Sequence, residues 1–569
     1  MDIYKRLLNK KLIIQLFILF FGLLLSTFLE TISFGSVIAF LAIITEPQLI
    51  LDKINIVFIT NIILSYEQEK LILISSFILF LMFIIRNFFL GFINFLSRKF
   101  IYNIVTLNAK KLLNYYLHCS LKFLYNKNPE VITRNLEQLI HAVCERLFYF
   151  VTILREVLMM IVIMVVIFIF NTLISTIAFI ALMIVSYFFI QFLKETLKKR
   201  SLVAHQFDVD RLKTINELYA NLKEIKLYNL QNTVIKNFDV AIKGVEAHRV
   251  FFNTVNVLPR LFLEIIAITG ILFLAVFSTF YEIENQSLIA TITIVAICAS
   301  RLIPGFQQIS TSINVLNNTK FAIKIIKDDI MNFDNVSNHS LSTVSKKDFN
   351  YLELKNVYFS FQNKKNILNN INLKIREGDK ICIIGESGSG KTTLLSIMMG
   401  LLEASSGDIE VNKEKMNQEN LLNYQNQIGY VSQDIFISDD TILSNIAIGE
   451  SKSDIDMSKI NKVIELSNMG DFISVSSEKL SSKVGTKGVK LSGGQIQRIG
   501  IARALYRDPK IIFFDEATSS LDEKNETKIL NNIFRVFNDR TIVFVTHKRQ
   551  LIKYFDKVIK VDNGRVTTS

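Results

Sequence analysis

Eight residues, Gly385, Glu386, Ser387, Gly388, Ser389, Gly390, Lys391 and Thr392, follow the spacing G-x-x-x-x-G-K-[ST]. Glycines at those positions let successive backbone N–H groups close around phosphate oxygens. Lys391 then meets the β- and γ-phosphates, and the Thr392 hydroxyl supplies an oxygen to Mg²⁺. The apolar run Ile381, Cys382, Ile383 and Ile384 predicts a buried parallel strand before the loop. Residues 393–399, starting at Thr393, predict a helix whose N-terminus faces the anion. Far downstream, Ile511, Ile512, Phe513 and Phe514 run into Asp515 and Glu516, which suits a buried strand delivering two carboxylates at its C-terminal edge.

A second run narrows the class of nucleotide machine. Leu491, Ser492, Gly493, Gly494 and Gln495 have the form of the signature of ATP-binding-cassette proteins, and further motifs follow the order of that family. The resemblance implies an ATP- and Mg²⁺-dependent hydrolase. Asp515 holds Mg²⁺, partly through water, together with Thr392 and Gln433, and Glu516 polarises the attacking water. Gln433 and His547 match the residues that sense the γ-phosphate, and Phe361 falls where an aromatic ring stacks on adenine. Ser387, Gly388, Ser389, Gly390, Lys391, Thr392 and Thr393 cradle the nucleotide. The run Ser519, Ser520, Leu521 and Asp522 resembles the loop linking two sites, with Ser520 where alanine is usual. In the family, the signature of one subunit closes over the nucleotide of the other, so Ser492, Gly494 and Gln495 imply a dimer, here expected as a homodimer. Thr486 stands where exporters often carry an acid.

The 569 residues leave room for at least a second domain, and the long hydrophobic runs fall in the first 320 residues. Apolar stretches at 12–45, interrupted by Glu30, at 71–96, interrupted by Arg86, at 157–193, long enough for most of two spans, and at 265–281 and 287–300 predict six membrane-spanning helices. The first of these is too long for a cleaved signal peptide. Lys5, Arg6, Lys10 and Lys11, with the basic segments 98–146 and 194–249, place the N-terminus and the cassette in the cytoplasm. The connections around Asn171 and around Glu282 and Glu284 carry no such bias. Positive-inside loops account for the net charge of +13, so no nucleic-acid partner is expected. Cys119, Cys144, Cys298 and Cys382 show no metal or disulfide spacing.

The resulting fold class is a membrane α-helical domain of six transmembrane helices, of the ABC exporter type, fused to an α/β P-loop NTPase cassette. Its expected divisions are a membrane domain at 1–330, a polar linker at 331–347 and a cassette at 348–569. The two long basic segments read as helical extensions, with turns near Asn128, Pro129 and Glu130 and near 219–222 resting on a cassette.

Charges inside a bilayer are costly and point to function. Glu30, Arg86 and Arg301 fall at similar depth when the helices are counted at about 1.5 Å per residue. Arg260 lies deeper, four residues before Glu264, and Arg155 adjoins Glu156. Arg86 and Arg301 outnumber Glu30, which suits a phosphate group.

Stretches around these charges, including Ile85-Arg86-Asn87, Pro259-Arg260 and Arg301-Leu302-Ile303-Pro304, are similar to bacterial flippases for undecaprenyl-pyrophosphate-linked oligosaccharides, the PglK type. That resemblance implies a lipid-linked glycan substrate engaged by Arg86, Arg301, Arg260 and Glu30 in the bacterial inner membrane. It further implies that residues 49–64 form a short external helix and that Gln308 replaces an arginine. An exporter of lipids, drugs or peptides would use the same engine. A membrane regulator switched by ATP without transport is disfavoured, because every hydrolytic residue is present.

Overall fold

The structure is a computed structural model that describes residues 2–45, 68–125, 127–169, 173–280, 285–332, 348–361, 366–475, 479–485, 488–518 and 520–568. The expected external helix at 49–64, the connections at Asn171, Glu282 and Glu284, most of the linker, Thr486 and Ser519 lie outside them. The chain divides into two compact units: Met1–Cys119 with Lys127–Ser337, and Ser120–Asn126 with Asn338–Ser569.

Six long helices build the first unit among the described residues: α1 (Lys10–Thr45), α2 (Gln68–His118), α3 (Ile140–Ile169), α4 (Leu173–Ala220), α5 (Gln231–Phe280) and α6 (Asn285–Asn318). Several are far longer than the roughly 20 residues a bilayer requires, which agrees with helical extensions of α2, α4 and α5. Four stretches among the described residues are long and apolar enough to cross a membrane: Lys10–Val37, Glu69–His118, Pro129–Val165 and Gln231–Phe273. Their apolar side chains point outward to a degree no water-soluble bundle tolerates, as with Phe17, Phe21, Phe77 and Phe88, all more than 60% exposed. Gly305, one residue after the proline inside α6, allows a close approach to α3. A Cβ there would lie 3.3 Å from Glu156 Oε2 and 3.4 Å from Met160.

One end of this unit is pinned by a buried polar cluster. Tyr116 donates to Asp329 Oδ2 at 2.7 Å, Lys127 Nζ meets both Asp329 oxygens at 2.6 and 2.8 Å, and Asn135 donates to the Tyr116 hydroxyl at 2.9 Å. Asn135 opens a π-helical turn, Asn135–Leu139, just before α3. Asp329 sits on the helix Lys320–Met331, close to where the chain leaves the unit.

The turn expected to rest on a cassette near Asn128, Pro129 and Glu130 belongs to the first unit and opens the helix Pro129–Arg134. The neighbouring segment Ser120–Asn126 groups with the second unit. The physical reason lies in its side chains: Leu121 packs against the cassette core, Lys122 lies 5.7 Å from the Phe359 ring centre, and Tyr125 meets Phe361 edge-on at 6.4 Å.

The second unit holds two sheets. A four-stranded antiparallel sheet has the order β2-β1-β4-β5, with β1 Tyr351–Phe359, β2 Leu368–Arg376, β4 Ser406–Val411 and β5 Glu414–Lys415. A six-stranded sheet has the order β10-β9-β3-β8-β7-β6, with β3 Lys380–Ile384, β6 Ile428–Val431, β7 Ile511–Asp515, β8 Thr541–Val545, β9 Lys557–Asp562 and β10 Arg565–Thr568. Its strands from β6 to β9 run parallel, and β10 is antiparallel. A parallel sheet covered on both faces needs strands apolar on every residue, which explains the unbroken runs in β3, β7 and β8. Cys382, Ile512, Phe514, Ile542 and Phe544 fill one core, while Ile381, Ile383, Phe513, Val543 and Val545 fill the other. Alternation thus splits each strand between two layers.

Candidate functional site

Strands β3, β7 and β8 are neighbours, so their C-terminal ends bring the glycine-rich loop, the acidic pair and His547 to one edge of the sheet. Ligands of open parallel sheets bind beyond those strand ends. The loop after β3 runs into α7 (Lys391–Met398), capped by Gly390 in a left-handed conformation with φ 104°. Gly388 has φ 79°, and a side chain at either position would be strained. Ser389 Oγ is buried with no hydrogen-bond partner among the described residues.

Lys391 donates to the carbonyls of Gly385 at 3.0 Å and Glu386 at 2.8 Å, so its ammonium arches back over the loop. Burial lowers its pKa, and the facing Glu516 and Asp515 oppose that shift. Thr392 Oγ1 lies 3.4 Å from Asp515 Oδ1, giving two hard oxygen donors of the type Mg²⁺ prefers. Burial raises the Asp515 pKa, the Thr392 hydrogen bond pulls it down, Glu516 adds to the rise and Lys391 opposes it. Oxygens of this type suit a divalent cation, so Thr392 and Asp515 would hold the metal expected there. When bound, Mg²⁺ supplies charge neutralisation on the phosphate oxygens.

Glu516 is the hub. Its Oε1 is 2.7 Å from His547 Nε2, and its Oε2 accepts from Gln433 Nε2 at 3.2 Å. It sits at φ 51°, a left-handed conformation that costs a non-glycine residue of order 1 kcal/mol and that clusters at functional sites. The turn after β7 therefore aims the carboxylate sideways, into the space that Gln433 and His547 border. Lys391, Thr392, Gln433, Asp515, Glu516 and His547 thus form one site. Thr393 lies on the first turn of α7. Phe361 follows the end of β1, half-buried, with its ring edge-on to Phe359 at 4.9 Å.

The signature residues form a separate face. Ser492 caps α8 (Gly493–Tyr506) with a reciprocal pair: Ser492 Oγ accepts from Gln495 N at 3.3 Å, and Gln495 Oε1 accepts from Ser492 N at 2.8 Å. That reciprocal pair satisfies two backbone N–H groups at the helix start. Ser492, Gly493, Gly494, Gln495, Ser520, Leu521 and Asp522 line one surface hollow, and no residue of the glycine-rich loop borders it. Asp522 in turn caps α9 (Glu523–Val536), accepting from Asn525 N at 3.2 Å. Lys548, next to His547, binds both carboxylate oxygens of the fully buried Glu526 on α9, at 2.9 and 3.0 Å. That pair ties the histidine loop to the helix Asp522 caps. Sequence reading did not single it out, and its signal was a charged residue on the apolar face of an amphipathic helix.

In the membrane unit, the charges expected to stand open are partnered. Arg86 Nη2 lies 3.4 Å from Glu30 Oε1, and Arg301 reaches Glu30 through Nε at 2.8 Å and Nη2 at 3.1 Å. Arg301 also meets Glu156 Oε2 at 3.2 Å, and Glu156 pairs with Arg155. The residues form an alternating chain, Arg86–Glu30–Arg301–Glu156–Arg155, drawn from α1, α2, α3 and α6. Glu30 and Glu156 are 5% and 1% exposed, and a buried carboxylate must be paired. The expected girdle of Arg86 and Arg301 thus lies within a chain of ion pairs, and Arg155 with Glu156 belongs to it. Arg260 does not join; it pairs with Glu264 one turn along α5 at 2.6 Å, both exposed.

Fold and site together define an architecture: a domain of long apolar helices followed by an α/β cassette with a phosphate-binding loop, which is the fold of the ABC exporter type. Residues 368–519 match the sequence model of the family described as ABC transporter. The chain is similar to an export ATP-binding/permease protein of Rickettsia typhi, 28% identical over 66% of this chain and 64% of that protein. It is also similar to the alpha-hemolysin translocation ATP-binding protein of Escherichia coli O157:H7, 35% identical over 38% of this chain and 30% of that protein. The match thus spans less than two thirds of each relative's length. Among solved structures, a bacterial Atm1-family ABC exporter with ATP bound superposes with a TM-score of 0.77 over 98% of this chain and 94% of its own, at 18% identity.

Proposed function

We propose that this chain is an ATP-driven exporter in which hydrolysis at the cassette moves a membrane-associated cargo outward. The observation that carries the reading is Glu516, held between His547 and Gln433 beside the glycine-rich loop. Phosphoryl transfer relies on positioning and on stabilising charge, and this cluster offers both. Lys391 and the loop N–H groups bind the phosphates. Glu516 accepts a proton from the attacking water, and Gln433 and His547 orient the carboxylate and the γ-phosphate. Phe361 stacks on adenine.

Ser492, Gly494 and Gln495 face a hollow apart from the loop, which supports a head-to-tail homodimer whose two sites are each shared between chains. The cassette and the N-terminus lie in the cytoplasm, with the helices in a bacterial inner membrane. The cargo in the finer reading is an undecaprenyl-pyrophosphate-linked oligosaccharide, supported by the similarity of the stretches around Arg86, Arg260 and Arg301. Similarity to an export permease and to a hemolysin translocation protein supports the alternative of lipid, drug or peptide export equally.

Substrate-stimulated ATPase in liposomes decides between these. Lipid-linked glycan raising turnover, with drugs and peptides inert, is the expected result, and stimulation by peptides alone would overturn the glycan reading.

A further inference from the structure

Two ties inside the cassette hold the signature face together. Gln497, one turn into α8 and 4% exposed, accepts a hydrogen bond at Oε1 from Ser520 N, 3.0 Å away. The next residue, Arg498, donates to the Asn468 carbonyl at 2.8 Å, and Asn468 Nδ2 donates to Asn525 Oδ1 at 2.8 Å. Asn525 in turn donates to Asp522 through N at 3.2 Å and Nδ2 at 2.6 Å. One tie thus holds the start of the loop 520–522 and the other holds its end.

Loop and helix also lie close together. A Cβ at Gly493 would be 3.4 Å from Ser520 Cβ, and one at Gly494 would be 3.4 Å from the Ser520 carbonyl oxygen and 3.5 Å from Leu521. The gap between them would hold a methyl group and little more. Both segments line one hollow, with Ser492, Gly494 and Gln495 from the helix start and Ser520 and Asp522 from the loop. Gln497 does not line it. A buried amide is costly unless its polar atoms are used, and the Gln497 oxygen is used to join the two segments.

We propose that Gln497 is a positioning residue of the shared ATP site: by holding the loop 520–522 against α8, it presents signature and loop to the partner's nucleotide as one rigid surface. This rests on the shared-site reading above. Misplacing groups around a reacting centre by about 1 Å costs up to a hundredfold in rate, so loosening one of two ties lowers turnover more than ATP affinity.

The test uses the full chain in phosphatidylcholine nanodiscs and reads ATP turnover against ATP concentration. Gln497→Met keeps the length of the side chain and removes the acceptor. It should lower kcat roughly tenfold, leave the half-saturating ATP concentration within about twofold, and leave the thermal midpoint unchanged. Gln497→Glu, which keeps an acceptor oxygen, should retain more turnover than Gln497→Met. Mixed dimers then locate the effect. With Gln497→Met in one chain and Lys391→Ala in its partner, one site keeps all its parts; with both changes in one chain, neither does. The first arrangement should turn over roughly tenfold faster than the second. Equal turnover in the two arrangements would overturn the proposal, as would a faster second one, the order expected of a residue that only supports its own cassette. If Gln497→Met does not fold, Asn468→Gly serves instead, because glycine suits the φ of 51° there and loss of the amide cuts the other tie. It should cost several-fold in kcat and give the same order in mixed dimers. Ser492→Arg paired with Lys391→Ala in the same two arrangements is the control. If the control shows no preference for the split arrangement, the shared-site reading fails and this proposal with it. If the control shows that preference and Gln497→Met does not, Gln497 alone loses its role.

Discussion

Each half of this molecule contains a pair of carboxylates, and the two pairs are treated in opposite ways. In the cassette, Asp515 and Glu516 meet a threonine hydroxyl, an amide and a histidine, partners that orient a carboxylate without cancelling it. In the membrane unit, Glu30 and Glu156 each meet two arginines and are almost wholly enclosed. A group that must handle a proton or a metal is kept short of full neutralisation. A group that joins helices in a low-dielectric medium is saturated. Partner identity, more than burial, separates the working pair from the structural one.

The largest effect that would test this contrast comes from the signature face. Ser492→Arg should lower ATP turnover by a hundredfold or more, of the order that loss of a transition-state donor produces, while ATP binding is retained. Mixed dimers carrying Ser492→Arg in one chain and Lys391→Ala in the other should keep one working site. Turnover in those mixed dimers no higher than in either parent would break the shared-site arrangement.

Next comes the membrane chain. Arg301→Gln leaves both Glu30 and Glu156 short of a partner and should cost on the order of 3 kcal/mol, read as a lower thermal midpoint and folded yield. Adding Glu156→Gln to the same chain should recover much of that loss. Undiminished stability in Arg301→Gln would return the arginines to the role of an open girdle.

A smaller effect is expected at the buried cluster near the unit boundary. Asp329→Asn weakens the Lys127 pair and should cost about 2 kcal/mol, whereas Tyr116→Phe removes one hydrogen bond and should cost about 1 kcal/mol. Equal losses in the two variants would mean that the lysine contributes nothing. The smallest is Ser492→Ala, which removes one cap of α8 for about 1 kcal/mol or less.

The cassette was legible because its chemistry depends on short runs of chain. A glycine loop must sit between a strand and a helix, and an acidic pair must end a buried strand; both constraints are local and leave their mark on neighbouring residues. The six helices were legible for a similar reason, since a bilayer imposes length and apolarity on each segment separately. What escaped reading was contact between distant segments. Glu156 adjoins Arg155 in the sequence, but nothing there brings Arg301 of α6 beside it. Gly305 permits that approach, but a lone glycine in an apolar helix does not announce its neighbour. Ser120–Asn126 escaped as well: Pro129 drew attention to the next turn, while Lys122 and Tyr125 meet Phe359 and Phe361, more than two hundred positions away, and Leu121 packs on the cassette core.

Glu516 carries the central claim, and single-turnover and steady-state ATP hydrolysis by the full chain in lipid test it most directly. Glu516→Gln should bind ATP as wild type does and lose at least about a hundredfold in turnover, the contribution of a positioned general base, with dimers trapped in the ATP-bound state. Turnover within a few-fold of wild type would contradict the account.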